Sequence, residues 1–281
     1  MKRVELKGIP LRANRFAGWS SGFHRIFFGL FVIQFALVWM RLWMSQPLFG
    51  NGRWPDGLLV VLAAGTTLAS QARHLPGQNV MLASIIIAFI AGAVESLGAL
   101  TGIPFGPFTY TTNIGQELFH PLPWAMPLVW IVILLNARGV GRLILRPWRK
   151  GRNYGLWLIG VASLLVVLLD LGLEPFATSI KRYWLWGVSK TSLEWYSAPW
   201  VNFVGWAVTA LIILAFTTPS LINKAPSKPP RAADWFPLVV WLMLNALLAT
   251  AALSNQLWPA AVVVIVGNVI VAAFAGWGGK G

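Results

Sequence analysis

Three carboxylic acids stand inside otherwise apolar runs, and they are the residues best suited to chemistry. Glu95 opens the stretch ESLGALTGIPFGPFTY, which runs to Tyr110, with Gly92, Ser96, Gly98 and Gly102 around it. Asp170 and Glu174 belong to DLGLEP, which ends at Pro175, in a second apolar run. An ionisable group at membrane depth costs about 2.5–3.5 kcal/mol on insertion scales, so each acid is a functional candidate by default. Asp170 and Glu174 are four residues apart and share one helix face. Two carboxylates that close in a low dielectric cannot both ionise easily, so such a pair holds a proton between them. A proton kept in an apolar cavity is what general-acid work on a poorly basic substrate needs. A structural alternative stands beside this: Glu174 precedes Pro175 and simply reaches interfacial water. Around Glu95, small residues let a neighbouring backbone or a ligand approach closely. Gly102, Pro104, Gly106 and Pro107 then stop the helix and shape a loop.

The elements that must position these acids follow from composition. The chain has 281 residues, of which 57% are hydrophobic and 11% charged. A soluble domain cannot hide that much apolar surface, so an integral membrane protein is expected. The fold class is all-α, a polytopic transmembrane bundle of about eight spanning helices, at about 20 apolar residues per crossing. They are read as Phe27 to Met44, Trp54 to Ser70, Asn79 to Leu100 and Pro123 to Leu145, then Tyr154 to Phe176, Pro199 to Leu221, Trp235 to Leu253 and Trp258 to Trp277. The second is short. Residues 1–26 form a basic cytoplasmic extension, without the apolar core and cleavage site of a signal peptide. Residues 27–277 form a single transmembrane domain. Lys224 to Arg231 (KAPSKPPR) is a polar, Pro-rich linker within it.

Charge supports the count. With the N-terminus inside, the inner segments hold most of the cations, above all Arg142, Arg146, Arg149, Lys150 and Arg152. The outer ones hold only Arg41, Arg53, Lys181, Arg182 and Lys190. That is the positive-inside pattern, and deleting the short second helix would invert it. A multi-pass protein of the cell membrane with both termini cytoplasmic is expected. Glu95, Asp170 and Glu174 then gather near the outer leaflet, with Glu117 and His120 in the outer loop beside them. The formal charge of +14 belongs to this loop pattern rather than to nucleic-acid binding.

Several chemistries are set aside. The chain has no cysteine, hence no thiolate nucleophile or cysteine-held metal. His24, His74 and His120 are too few and too scattered for a histidine-rich di-iron site. Paired Asp-rich motifs for Mg²⁺-diphosphate chemistry are missing, as are phosphate-binding glycine loops. No metal site is expected. Acid–base catalysis with carboxylates and aromatics is left, or no catalysis at all. The loop from Ala177 to Ala198, with Tyr183, Trp184, Trp186, Trp195 and Tyr196, is either an interfacial aromatic belt or a lid over a lipid-like substrate.

The run from Glu95 to Thr111 resembles the signature of the membrane carotenoid-biosynthesis hydratases. PLPWAMPLVW (Pro121 to Trp130), DLGLEP, Trp184 with Trp186, and YSAPWVNFVGW (Tyr196 to Trp206) are similar to that family's later segments, in order. One departure is Phe108, where the family usually carries an aromatic hydroxyl; Tyr110 keeps one nearby. The resemblance implies addition of water across the terminal double bond of an acyclic carotenoid, with no cofactor. Asp170 or Glu174 would protonate the alkene, and Glu95 would take a proton from the attacking water. Trp130, Trp184, Trp186 and Trp206 would face the tertiary cation at roughly 0.5–2 kcal/mol each. Tyr110, Asn202 and Thr101 would hold water, and Phe105 and Tyr196 complete the expected substrate-binding set. The substrate would be lycopene, γ-carotene or a C50 precursor drawn from the bilayer. Membrane lipid and other enzymes of the pathway are the expected partners, and nucleic acid is not one. A carotenoid end-group cyclase begins with the same protonation but keeps a dry site. The non-catalytic readings are a lipid- or pigment-binding protein and a transporter. A transporter would carry polar groups along a path through the whole membrane.

Overall fold

The computed structural model describes residues 13–44, 54–188, 193–222 and 232–280, with side chains from Ser21 onward. Long apolar runs in lipid satisfy their backbone hydrogen bonds internally, as helices. Eight long helices form among the described residues: α1 (Ala13–Trp43), α2 (Trp54–Ala72), α3 (Gly77–Thr101), α4 (Ala125–Ile144), α5 (Tyr154–Pro175), α6 (Trp200–Thr217), α7 (Phe236–Ser254) and α8 (Trp258–Lys280). Seven of them are long and apolar enough to cross a membrane. Their outer surfaces carry large apolar side chains such as Ile85, Phe89, Leu156, Trp157 and Leu164. The chain is an all-α, multi-pass membrane bundle. The helix outside the seven is α2, which has 19 residues and buries Thr66, Thr67, Ser70 and Gln71 among its apolar ones.

Most helix ends fall within a few residues of the sequence reading. The first does not: α1 begins at Ala13, well before Phe27. No proline lies between Pro10 and Pro47, so nothing in the basic segment stops the helix. The expected extension over residues 1–26 is therefore helical from Ala13. Residues 1–12 and the linker Lys224 to Arg231 lie outside the described part. The sixth helix ends at Thr217 and passes into a 3₁₀ turn, Thr218–Leu221, where Pro219 breaks the α pattern.

The centre of the bundle is α4, which packs against α2, α3, α5, α7 and α8. It buries Trp130, Asn136 and Arg138. Asn136 donates to Thr67 Oγ1 on α2 at 2.8 Å. On the flanks, α6 packs against α3 and α5, and α1 against α2 and α7.

The loops at one end carry three short antiparallel pairs. β1 (Phe108–Tyr110), β2 (Glu117–Phe119) and β3 (Leu122–Pro123) lie between α3 and α4; β4 (Trp184–Trp186), β5 (Glu194–Trp195) and β6 (Ala198–Pro199) lie between α5 and α6. β2 pairs with β3 and β5 with β6, whereas β1 pairs with β4 across the bundle. Phe108 stands opposite Trp186 and Tyr110 opposite Trp184. Side chains alternate along a strand. These four aromatic residues therefore face inward, while Thr109 and Leu185 face out. The loops are thus tied into one cap.

Candidate active site

The turn that delivers β1 is built by glycine. Gly102 ends α3 at φ +76, returning its N–H to Gly98 O at 2.7 Å, and Gly106 takes φ +101. Both conformations favour a residue without Cβ. The turn drops Phe105 between α3 and α6, where it is 1% exposed. A Cβ on Gly98 would meet its ring at 2.6 Å, and one on Gly205 at 2.7 Å. Those two glycines are the slot for Phe105.

On α5 the organising residue is Pro175. Proline has no N–H to give the carbonyl four residues back. That carbonyl, Leu171 O, instead accepts from Trp195 Nε1 at 2.9 Å. The helix continues as a π-helical segment, Phe176–Ile180, before turning into β4. A π-type widening is a recognised device at functional sites.

These features converge on a narrow space lined by Glu95, Phe105, Phe108, Tyr110, Met126, Glu174, Trp184, Trp186, Asn202 and Trp206. Glu95 on α3 accepts from Tyr110 OH at 2.5 Å and from Trp130 Nε1 at 2.7 Å. Glu174 on α5 accepts from Trp186 Nε1 at 3.0 Å and Trp184 Nε1 at 3.3 Å. Its other oxygen accepts from Asn202 Nδ2 at 3.0 Å. The same amide reaches Asp170 Oδ2 at 2.9 Å. Asp170 is fully buried, does not line the space, and stands behind Glu174. Among the described residues, its Oδ1 is the one oxygen of the three carboxylates without a hydrogen-bond partner. Among the described residues, none of the three acids forms an ion pair. Within the helices, Trp130 on α4 and Trp206 on α6 stack at 4.3 Å with their planes 17° apart. Burial, and next the Glu95 carboxylate, push the Tyr110 phenol well above its ordinary range, so it serves as an O–H donor.

Ten of the twelve residues singled out in the sequence meet here: Glu95, Asp170, Glu174, Phe105, Tyr110, Trp130, Trp184, Trp186, Asn202 and Trp206. Two do not. Thr101 is exposed and turns its hydroxyl back to Leu97 O at 2.7 Å. Tyr196 packs by Trp195 near α8, and its hydroxyl accepts from Ala260 N at 3.2 Å. Phe108 and Met126 line the space without having been singled out for it. Strand alternation with Tyr110 is the signal that points to Phe108. For Met126 the sequence offers none. Glu117 and His120 pair with each other on the exposed β2 turn, at 3.2 Å. Among the described residues no set of three His, Asp or Glu side chains converges as a metal site would require.

A larger space adjoins the first. A cleft of about 780 Å³ lies between α2, α4, α5 and α7 and shares Met126 and Trp184 with the acid pocket. Its rim carries Asp56, which accepts from Lys181 Nζ at 2.7 Å and from Tyr183 OH at 2.9 Å. Those bonds tie the start of α2 to the segment after α5.

No solved structure matches the chain. Bisanhydrobacterioruberin hydratase of Haloarcula japonica is 29% identical to it over 133 residues. That match covers 47% of this chain and 42% of the relative, so it spans less than half of either. Residues 56–271 match the family described as carotenoid biosynthesis protein, a stretch that contains every residue of the site just described. The chain belongs to the carotenoid biosynthesis protein family.

Proposed function

We propose that this protein hydrates the terminal double bond of an acyclic carotenoid end group, using its own carboxyls and no cofactor. The observation that carries the reading is an indole-walled space lined by buried Glu95 and Glu174, with buried Asp170 joined to Glu174 through Asn202, and no cationic partner for the three acids among the described residues. A relative named as a hydratase supports the choice of reaction. Lycopene, γ-carotene and a longer C50 precursor are the substrates to try.

Glu174 lines the space and Asp170 backs it, with Asn202 holding both. The pair shares a proton, and Glu174 hands it to the less substituted alkene carbon. A C–H bond forms, the π bond breaks, and a tertiary cation is left on the neighbouring carbon. The faces of Trp206, Trp184 and Trp186 favour that cation at roughly 0.5–2 kcal/mol each. Water attacks, a C–O bond forms, and Glu95 accepts the proton released. Tyr110 and Trp130, both bonded to Glu95, fix its carboxylate for that step. The proton then returns from Glu95 to the pair, so one water is consumed and the protein is unchanged. A hydrophobic enclosure that excludes bulk water strengthens each of these interactions.

In this reading the basic segment between α4 and α5 faces the cytoplasm, and the cap and acids lie near the outer leaflet of the cell membrane. The test is expression in a bacterium already making lycopene or γ-carotene, with mass analysis of the pigments. A new pigment heavier by one water and bearing a tertiary alcohol is expected. An isomer of unchanged mass would replace hydration with cyclisation. No new pigment from any of the three substrates would end the proposal.

A further inference from the structure

The acid pocket, at about 10 Å³, has room for about one water, so an end group enters it only as the lining side chains shift, and the large cleft beside it shares only Trp184 with the chemistry above. From Trp54 to Ala63 the cleft follows α2 for about 13 Å at 1.5 Å per residue. That depth runs from the capped end to roughly the middle of a ~30 Å hydrocarbon core. At about 780 Å³ the cleft falls within the ~300–1,000 Å³ of ordinary ligand sites. Its polar groups, Asp56, Asn113 and Gln116, sit at the rim, and below them the walls are apolar. Flat rings of Trp54, Trp124, Phe176 and Trp184 gather at its capped end, next to the acid pocket, where they suit the flat conjugated part of a chain, and aliphatic side chains line the deeper part. Among the described residues, the only ones common to cleft and acid pocket are Met126 and Trp184. Trp184 is anchored to Glu174, whereas a methionine side chain has three rotatable bonds and adapts its shape.

We infer that the cleft holds the polyene arm of the carotenoid and that its end group passes Met126 to reach Glu174 and Glu95. The inference rests on the hydratase reading for its ligand class. It adds a binding site on α2, α4, α5 and α7, distinct from the residues that do the chemistry. It also places substrate length discrimination in the cleft, away from the acids.

The test uses the full chain in membranes of a lycopene-producing bacterium. Val61→Trp on α2 and Leu244→Trp on α7 each add bulk to the cleft. Both native side chains are partly exposed, so the new ring enters open space instead of packed core. Ile85→Trp, on the outer surface of α3 at 59% exposure, is the matched control. Two quantities are read: hydrated pigment per extracted protein, and lycopene retained through detergent extraction by the non-turning Glu174→Gln background carrying each change. Both should fall by about tenfold or more in the cleft variants, equivalent to ~1.4 kcal/mol of lost binding. Ile85→Trp should match its parent. Parent-level product and retention in both cleft variants would overturn the inference, as would a cleft that co-purifies with phospholipid acyl chains while lycopene retention ignores the substitutions. Retention separates the two claims: lycopene held in a cleft-dependent way with no hydrated product keeps the cleft and sinks the hydratase reading. If either tryptophan variant is not recovered folded, the smaller changes Val61→Phe and Leu244→Phe decide by the same criteria.

Discussion

Asn202 is the hinge of the acid pair, and its replacement by leucine is the sharpest perturbation of the site. The side chain is 1% exposed, and its amide donates to Asp170 Oδ2 at 2.9 Å and Glu174 Oε1 at 3.0 Å. Leucine has a similar size, so Asn202→Leu keeps the packing and removes both donors. Each buried acceptor left without its donor costs about 1–3 kcal/mol, so about 2–6 kcal/mol of stability is at stake. The two acceptors share one amide and, in the proposed scheme, a proton, so the total falls below a simple sum. For the reaction, losing a bond worth about 1.5–3 kcal/mol to a charged group slows turnover roughly 10- to 100-fold if the bond positions Glu174 in the transition state. The assay is the rate of pigment hydration in membranes, normalised to extracted protein, with thermal melting of the detergent-extracted protein alongside. Asn202→Gln, which keeps the amide on a longer arm, should recover part of the rate. An Asn202→Leu protein that hydrates at the parent rate would refute the claim that this amide organises the pair.

Other substitutions follow from the same geometry. Glu95→Gln, Asp170→Asn and Glu174→Gln should each abolish hydrated pigment while the protein still reaches the membrane; full activity in all three would remove the acid–base scheme. Tyr110→Phe deletes the 2.5 Å bond to Glu95 and should slow hydration by about 10- to 100-fold, the equivalent of ~1.5–3 kcal/mol, with parent kinetics as the contrary result. In Gly205→Val the new side chain begins 2.7 Å from the Phe105 ring and 3.0 Å from Pro104 O, so about 1–3 kcal/mol of overpacking should lower the melting temperature. A parent-like melting curve would mean that Phe105 is not held as described. Reporters fused within residues 146–152 should read as cytoplasmic and those near Glu117 as external; the reverse would place the acids at the inner leaflet.

What was legible in the sequence, and what was not, divides along physical lines. An acid in an apolar run is costly wherever the bundle puts it, so Glu95, Asp170 and Glu174 stand out without any tertiary knowledge. Helix spans were readable because lipid leaves the backbone few alternatives. The β1–β4 ribbon was not readable. Its two strands are three residues each and lie far apart in the chain, so their alternation is too short to distinguish from an interfacial aromatic belt. Pairing is what turns Trp184, Trp186, Phe108 and Tyr110 into the ceiling of the site. Thr101 looked like a water-holding group beside Glu95, but the hydroxyl of a helical threonine readily bonds its own i−4 carbonyl, and here it does. Tyr196 adjoins Trp195, yet the Trp195 bond to Leu171 O carries that corner towards α8, away from the acids. The cleft is a gap between helices distant in sequence, and no local pattern encodes a gap.

The central claim is that a protein carboxyl protonates the alkene and water captures the cation. The most direct measurement is hydration by washed membranes in deuterated water enriched in the heavy oxygen isotope, with mass and NMR analysis of the product. The account predicts heavy oxygen on the tertiary alcohol and solvent deuterium on the adjacent carbon. An alcohol whose oxygen does not come from water, or a product with no solvent deuterium on that carbon, would contradict it.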